Sequence, residues 1–254
     1  FTWLRDDEIP TEQTKKQIFE AVDKSLKRLQ TDYIDLYQLH WPDRPMSLFG
    51  GSINYQHIEG ESNSIYSILD ALSELIKIGK IRNIGLSNET PWGTMEFIHQ
   101  SKDKNLPRVQ SIQNAYNLLN RIFEFGGSEI AFRENVGLLA YSPLAQGYLT
   151  GKYQNGNLPE GSRKALFDRL QRYEGVGSEE AIASYLNIAK KYNIDPSQLA
   201  NQFVTTRSFV TSNIIGATSM EQLKLAITSI EIEMHEELEN DIEDAFKLHG
   251  NIAS

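Results

Sequence analysis

The stretch Asp35-Leu36-Tyr37-Gln38-Leu39-His40-Trp41-Pro42-Asp43 decides how the chain is read. It has the pattern of a buried strand that ends abruptly in a histidine at its carboxyl end. The same break recurs at Leu86-Ser87-Asn88, Ile112-Gln113-Asn114, Tyr141-Ser142-Pro143 and Ile215-Gly216-Ala217-Thr218. Five strands that each exchange an apolar body for a polar tip describe one rim of a β/α barrel, the face where such folds do chemistry. His40 is the one ordinary acid/base residue on that rim.

The segments between the strands read as helices. Residues 11–30 place Ile18, Val22, Leu26 and Leu29 on one face, with Thr11 as the expected N-cap. Tyr33–Leu39 is the first strand, and residues 41–62 form a long polar loop broken by Gly50-Gly51 and Gly60. A second helix carries Ile65, Ile68, Leu69, Leu72, Leu75 and Ile76 on one face and ends near Gly79. Strand Ile81–Leu86 follows, and Thr90-Pro91 then supplies an N-cap and a first-turn proline for a helix to about residue 103. The remaining expected strands are Val109–Gln113, Val136–Ala140 and Ser212–Ile215. One helix is expected over about 120–135, an excursion over 146–177, and helices over 178–192, 196–207, from Ser219, and over 235–248.

Short apolar strands alternating with helices indicate a parallel sheet covered by helices. No strand is followed by the glycine fingerprint of the open dinucleotide-binding sheet, so a barrel is favoured over a doubly wound sheet. A complete barrel needs eight strands. The pattern holds five, preceded by a helix, which predicts a single barrel domain over 1–254 without its first three strands. Such a sheet would leave two strand edges unpaired and favour self-association.

Composition excludes several classes. The net charge of −9 and the pI near 5.1 argue against a nucleic-acid surface. Mean hydropathy is −0.42, and no apolar run reaches membrane-spanning length. Phe1–Asp7 have neither a basic nor an apolar signal region, and the absence of cysteine removes disulfides, thiolate metal sites and thiol nucleophiles. Together these predict a cytoplasmic protein without nucleic-acid or membrane partners.

In order along the chain stand Leu26-Lys27-Arg28-Leu29, Asp32-Tyr33-Ile34-Asp35 running into the opening stretch, Gly79-Lys80-Ile81-Arg82 and Ile84-Gly85-Leu86-Ser87-Asn88. Gln113-Asn114, Ala140-Tyr141-Ser142-Pro143-Leu144-Ala145, Gly147, Gly151-Lys152-Tyr153, Gly216-Ala217-Thr218 and Glu221-Gln222-Leu223 follow. In this order the set resembles the aldo-keto reductases, in particular their bacterial Tas-like branch, with potassium-channel β subunits as distant relatives. The resemblance implies a (β/α)8 barrel that binds NADPH across the rim and transfers hydride to an aldehyde or ketone. It also implies a catalytic Asp, Tyr, Lys and His, of which only the His falls in this sequence, at His40. The other three belong to the family's first three strands.

A histidine on a generic strand end is usually a packed, hydrogen-bonded residue. The following Trp41-Pro42-Asp43 and the resemblance make His40 the group that orients or polarises the carbonyl. No HxH or HExxH accompanies it, so no metal is expected. His57, His99, His235 and His249 read as surface residues. Ser87, Asn88 and Gln113 would otherwise be strand-end caps; the resemblance makes them ligands of the nicotinamide carboxamide. Tyr141 corresponds to the aromatic that stacks on the nicotinamide. Ser142, Pro143, Leu144, Ala145, Gln146 and Gly147 form the loop over the pyrophosphate, and Lys152 and Arg163 match cationic phosphate positions. Gly216-Ala217-Thr218-Ser219 opens a helix, so its free N–H groups make an anion site on physical grounds alone. The resemblance makes it the 2′-phosphate site, through Gly216, Thr218 and Gln222. The family often carries Glu-Asn three and four residues after this Gln, where Leu225 and Ala226 stand here. Trp41, Trp92 and Phe49 either line a substrate pocket or anchor loops.

The leading expectation is an NADPH-dependent reductase of small carbonyl compounds. Its alternatives are a non-catalytic nucleotide-binding regulatory module and an inactive truncated reductase. His40 weighs against the module, because the channel-subunit relatives can carry Asn at that position.

Overall fold

The computed structural model describes residues 14–46, 58–167 and 171–253, which fall into two compact units. Of the described residues, one comprises 14–46 and 58–112, the other 113–167 and 171–253.

In the first unit, α1 (Lys15–Leu29) opens with a capping box. The Gln17 backbone N–H donates to Thr14 Oγ1, and the Thr14 N–H donates to Gln17 Oε1, each at 3.3 Å. The cap is therefore Thr14 and not Thr11. Both threonines suit a cap by type, but only Thr14 has a glutamine three residues on to close the box. Ile18, Val22 and Leu26 are buried as expected, whereas Leu29, on the last turn, is 63% exposed. Strand β1 (Ile34–Leu39) runs parallel to β2 (Ile81–Ser87), with Ile34 opposite Ile81 and Leu39 opposite Leu86. Tyr33 precedes the strand and lies under the Arg82 guanidinium, 3.8 Å from its ring centre. Between the strands, α2 (Ile65–Lys77) is capped by Ser64 and buries Ile68, Leu69, Leu72 and Leu75. Helix α3 (Pro91–Asp103) starts on the Thr90 cap with Pro91 in its first turn, as read.

Strand β3 (Val109–Ala115) belongs to both units, the division falling between Ile112 and Gln113. In the second unit the single helix expected over 120–135 is broken. A short 3-10 turn at Ile122–Glu124 is followed by α4 (Gly127–Glu134), and Gly126 between them has φ 95°. That backbone lies in the left-handed region, which a continuous helix cannot accommodate. Strand β4 (Gly137–Tyr141) runs parallel to β5 (Val210–Ile214) with an irregularity between Leu138 and Leu139. The excursion over 146–177 holds 3-10 turns and the four-residue α5 (Arg163–Leu166). Helices α6 (Ser178–Lys191), α7 (Pro196–Thr205), α8 (Met220–Thr228) and α9 (Glu236–His249) complete the unit. Asp195 caps α7 through two N–H groups. His235, expected as a plain surface residue, caps α9 by accepting the Leu238 N–H at Nδ1. Ile182, Tyr185, Leu199, Phe203, Val204, Leu238 and Ile242 are buried in this unit.

The strands pair in chain order, β1 to β5, in a parallel α/β arrangement. Among the described residues the sheet has five strands and is not a closed barrel. No described helix is long and apolar enough to cross a membrane.

Strands β4 and β5 approach so closely at Gly137 that an added Cβ would lie 1.8 Å from Thr211 Oγ1. Gly137→Ala should therefore lower stability by about 1–3 kcal/mol, as overpacking does. Urea unfolding should show a reduced midpoint that Thr211→Ala partly restores. An unchanged midpoint for the single variant would contradict this packing.

Candidate active site and cofactor loops

In the first unit, the ends of β1 and β2 lie side by side. His40 follows the last residue of β1, its ring stacked on Trp41 with centroids 4.9 Å apart and planes 22° from parallel. His40 is exposed, yet partial desolvation holds its pKa below the ordinary 6.5. Asn88, one residue beyond β2, has a left-handed backbone (φ 55°) that turns its side chain back. Its amide nitrogen donates to the His40 carbonyl at 2.8 Å and to Ser87 Oγ at 3.2 Å. Ser87 itself is buried.

Next to this junction the Arg44 guanidinium meets the Glu89 carboxylate. Nη1 donates to Oε2 at 3.0 Å, and Nη2 donates to Oε1 and to Thr90 Oγ1. Arg44 also lies on the Trp92 ring, 5.0 Å from its centre. Arg44 and Glu89 line a cavity of about 250 Å³ whose walls include Trp41, Ser87 and Trp92. Trp92 thus both lines the cavity and carries Arg44, while Phe49 lies outside the described residues. Nothing in the strand-end pattern pointed to Arg44 and Glu89, because each reads alone as a loop charge.

In the second unit, Gln113 lies within β3 and Tyr141 closes β4, both half-buried. The loop after Tyr141 is conformationally unusual. Ser142, Ala145 and Gln146 have φ of 59°, 47° and 60°, and Gly147 has 102°. Three non-glycine residues in the left-handed region hold their strain only if the surroundings fix them, a condition common at ligand sites. Asn117 supplies that restraint. It is fully buried, donates to the Ser142 carbonyl and the Tyr173 hydroxyl at 2.9 Å each, and accepts the Leu119 N–H at 2.9 Å. Neither Asn117 nor Tyr173 carries a motif signal, so sequence reading missed both.

Gln146 Oε1 is buried in this loop without a hydrogen-bond partner. An added Cβ at Gly147 would come 2.9 Å from Lys152 Cε and 3.1 Å from its ammonium, so a larger residue there would push the flexible lysine end aside. Pro143, Ala145 and Gly147 are buried, Leu144 is half-buried, and Arg163, at the start of α5, is exposed. At α8, Gln222 Oε1 accepts the Thr218 N–H at 2.9 Å and its hydroxyl at 3.1 Å, and the Gln222 N–H donates to Ser219 Oγ at 3.2 Å. Gly216, Thr218 and Gln222 are all exposed.

The model of the Aldo/keto reductase family matches residues 2–246. The chain belongs to this family. It is 47% identical over 236 residues to the protein Tas of Escherichia coli K12, covering 92% of this chain and 68% of Tas. It is 42% identical to an aldo-keto reductase of Babesia bovis, over 88% of this chain and 82% of that protein. A more distant similarity, 30% identity over 86% of this chain and 60% of its counterpart, links it to a putative voltage-gated potassium channel subunit beta of Schizosaccharomyces pombe. The family is one of oxidoreductases.

A tyrosine–lysine–acid group does occur in the second unit, at Tyr148, Lys164 and Glu174. The Tyr148 hydroxyl donates to Glu174, which Lys164 also pairs with. Burial and the Glu174 carboxylate drive the Tyr148 phenol far above its ordinary value. That direction makes it a poor proton donor near neutral pH. The group ties Tyr148, Lys164 and Glu174 of the excursion together.

Asn117→Ala removes three buried hydrogen bonds and should destabilise the chain by about 1–3 kcal/mol. Amide exchange at Leu144–Gly147 should speed up at the same time. Unchanged exchange there would show that Asn117 does not hold the loop.

Proposed function

We propose that the protein is an NADPH-dependent reductase of aldehyde or ketone carbonyls. The observation that carries this reading is His40, a ring fixed by Trp41 and tied through its own carbonyl to Asn88, with its pKa held down. A neutral imidazole at a strand end donates one N–H to a carbonyl oxygen as negative charge grows there. Such preorganised donors stabilise a transition state without reorganisation. His40 acts by orientation and polarisation; the resemblance gives delivery of the proton to the carbonyl oxygen to the family's catalytic tyrosine, to which no residue of this sequence corresponds.

The described residues fit the cofactor's chemistry. The left-handed run from Ala145 to Gly147 suits an anion that approaches the backbone closely, while the buried, unpartnered Gln146 Oε1, an acceptor, suits a donor group of the ligand and not a phosphate oxygen. We assign Ser142, Pro143, Leu144, Ala145, Gln146 and Gly147 to the pyrophosphate, with Lys152 and Arg163 as its cationic partners. Tyr141 stacks on the nicotinamide, and Ser87, Asn88 and Gln113 serve its carboxamide. Gly216, Thr218 and Gln222 take the 2′-phosphate at the amino end of α8, where the helix dipole favours an anion once the ligand displaces the bonds the Thr218 and Gln222 N–H groups make to Gln222 Oε1 and Ser219 Oγ. This assignment underlies NADP preference over NAD. Leu225 and Ala226 offer the adenine no polar side chain. When bound, NADPH supplies the hydride; the protein contributes orientation, charge and exclusion of water. The absence of cysteine suits a reducing cytoplasm.

In the full-length protein, 4-nitrobenzaldehyde should drive NADPH oxidation. His40→Ala should lower kcat by about 100- to 1,000-fold, the scale of losing one such donor, while NADP+ affinity is kept. NADP+ binding that quenches aromatic fluorescence with no aldehyde-dependent turnover would overturn the reductase reading. A second expectation concerns pH. Because the His40 pKa lies below 6.5, the neutral form persists as pH falls through 6.5. Activity should decline only at lower pH; an acid limb centred at or above 6.5 would contradict the role given to His40.

A further inference from the structure

The ends of β1 and β2 are joined by more than the Asn88 to His40 hydrogen bond. Glu89 directly follows Asn88, and Arg44 lies four residues beyond His40. The Glu89 side chain is 2% exposed and that of Arg44 22%. Both terminal guanidinium nitrogens reach the carboxylate, Nη2 also reaches Thr90 Oγ1 at 3.0 Å, and the Thr90 N–H donates to Glu89 Oε1 at 2.7 Å. Trp92 closes one face of the guanidinium. Gly93 leaves the space: an added Cβ would lie 2.2 Å from Glu89 Oε1 and 2.8 Å from Arg44 Nη1. On the same loop, Asp43 accepts the Asn63 side-chain amide at 2.7 Å and its backbone N–H at 3.3 Å.

A buried ion pair is a weak device for stability alone, because desolvation offsets most of its attraction and an apolar pair would serve as well. What a two-pronged guanidinium–carboxylate contact provides is direction. It fixes two chain segments in distance and in rotation, which packing of methyl groups does less sharply. The segments fixed here carry His40 and Asn88. We propose that Arg44 and Glu89 are positioning residues for carbonyl reduction: their contact sets the placement of the His40 ring and the Asn88 amide at the junction of β1 and β2. Neither touches the reacting atoms in this account. The inference rests on the reductase reading for its kinetic consequence, but its structural content stands apart from turnover.

The test uses Arg44→Lys, which keeps the charge and loses the fork, and Gly93→Ala, which keeps both charged groups and presses on their contact. Both are made in the full-length protein. Two readouts are taken beside thermal unfolding. The first is kinetic. With 4-nitrobenzaldehyde, kcat should fall about 10- to 100-fold, as misplacement on the ångström scale does, while NADP+ affinity falls by clearly less than kcat, because Asn88 is one of several groups assigned to the cofactor. The second is independent of activity. The ring proton His40 Hε1 should be displaced by the ring current of the stacked Trp41, and this displacement should shrink in both variants. If wild-type protein reduces no aldehyde, the reductase reading fails, while the ring shift still decides the positioning claim. Folded variants with wild-type kcat and an unchanged His40 ring shift would overturn it. So would a kcat loss matched by an equal loss of NADP+ affinity, which would mark general loosening.

Discussion

Parallel strands satisfy their backbone groups in the ladder and give their side chains to packing, so polar chemistry emerges only where the ladder stops. The register of β1 on β2 sets where that happens. Leu39 stands opposite Leu86, so the next residues on each strand, His40 and Ser87-Asn88, meet at one level. Everything assigned to this end of the first unit depends on that register. A slip by one residue would send His40 to the opposite face of the strand.

The two units solve a common problem in different ways. After β2 the chain must turn sharply and still present a polar tip. Asn88 does this with a left-handed backbone, and the Glu89–Arg44 contact behind it keeps the turn from relaxing. After β4 the strain is spread over Ser142, Ala145 and Gln146, and one buried amide, Asn117, holds the first of them. In both places a turn of uncommon conformation is stabilised by a buried polar group outside the motif. Buried polar groups cost free energy unless every bond is made, so their satisfied geometry also fixes a unique conformation.

Most of the fold was legible from the sequence because strand bodies and helix faces carry their own periodicity. All five strands were found to within a few residues, and Thr90 was a recognisable cap. Two features were hidden. The break at Gly126 looked like helix because Ile122, Ile130 and their neighbours kept a helical rhythm across it. The cap of α1 was misplaced because a threonine is a cap by type, while the box depends on its partner Gln17. At the candidate site, the strand-end residues and the glycine-containing loop could be read locally. Arg44 with Glu89, and Asn117 with Tyr173, could not: the members of each pair lie 45 and 56 residues apart, and no local pattern records their contact.

Direct transfer of hydrogen to carbon is the claim on which the function stands. The measurement that reaches it is mass spectrometry of the alcohol formed from 4-nitrobenzaldehyde by the full-length protein, with NADPH deuterated at either of the two C4 positions. A ring stacked on one face by Tyr141 predicts deuterium at the benzylic carbon from one diastereomer and none from the other. Deuterium transferred from neither, or from both alike, would contradict the account.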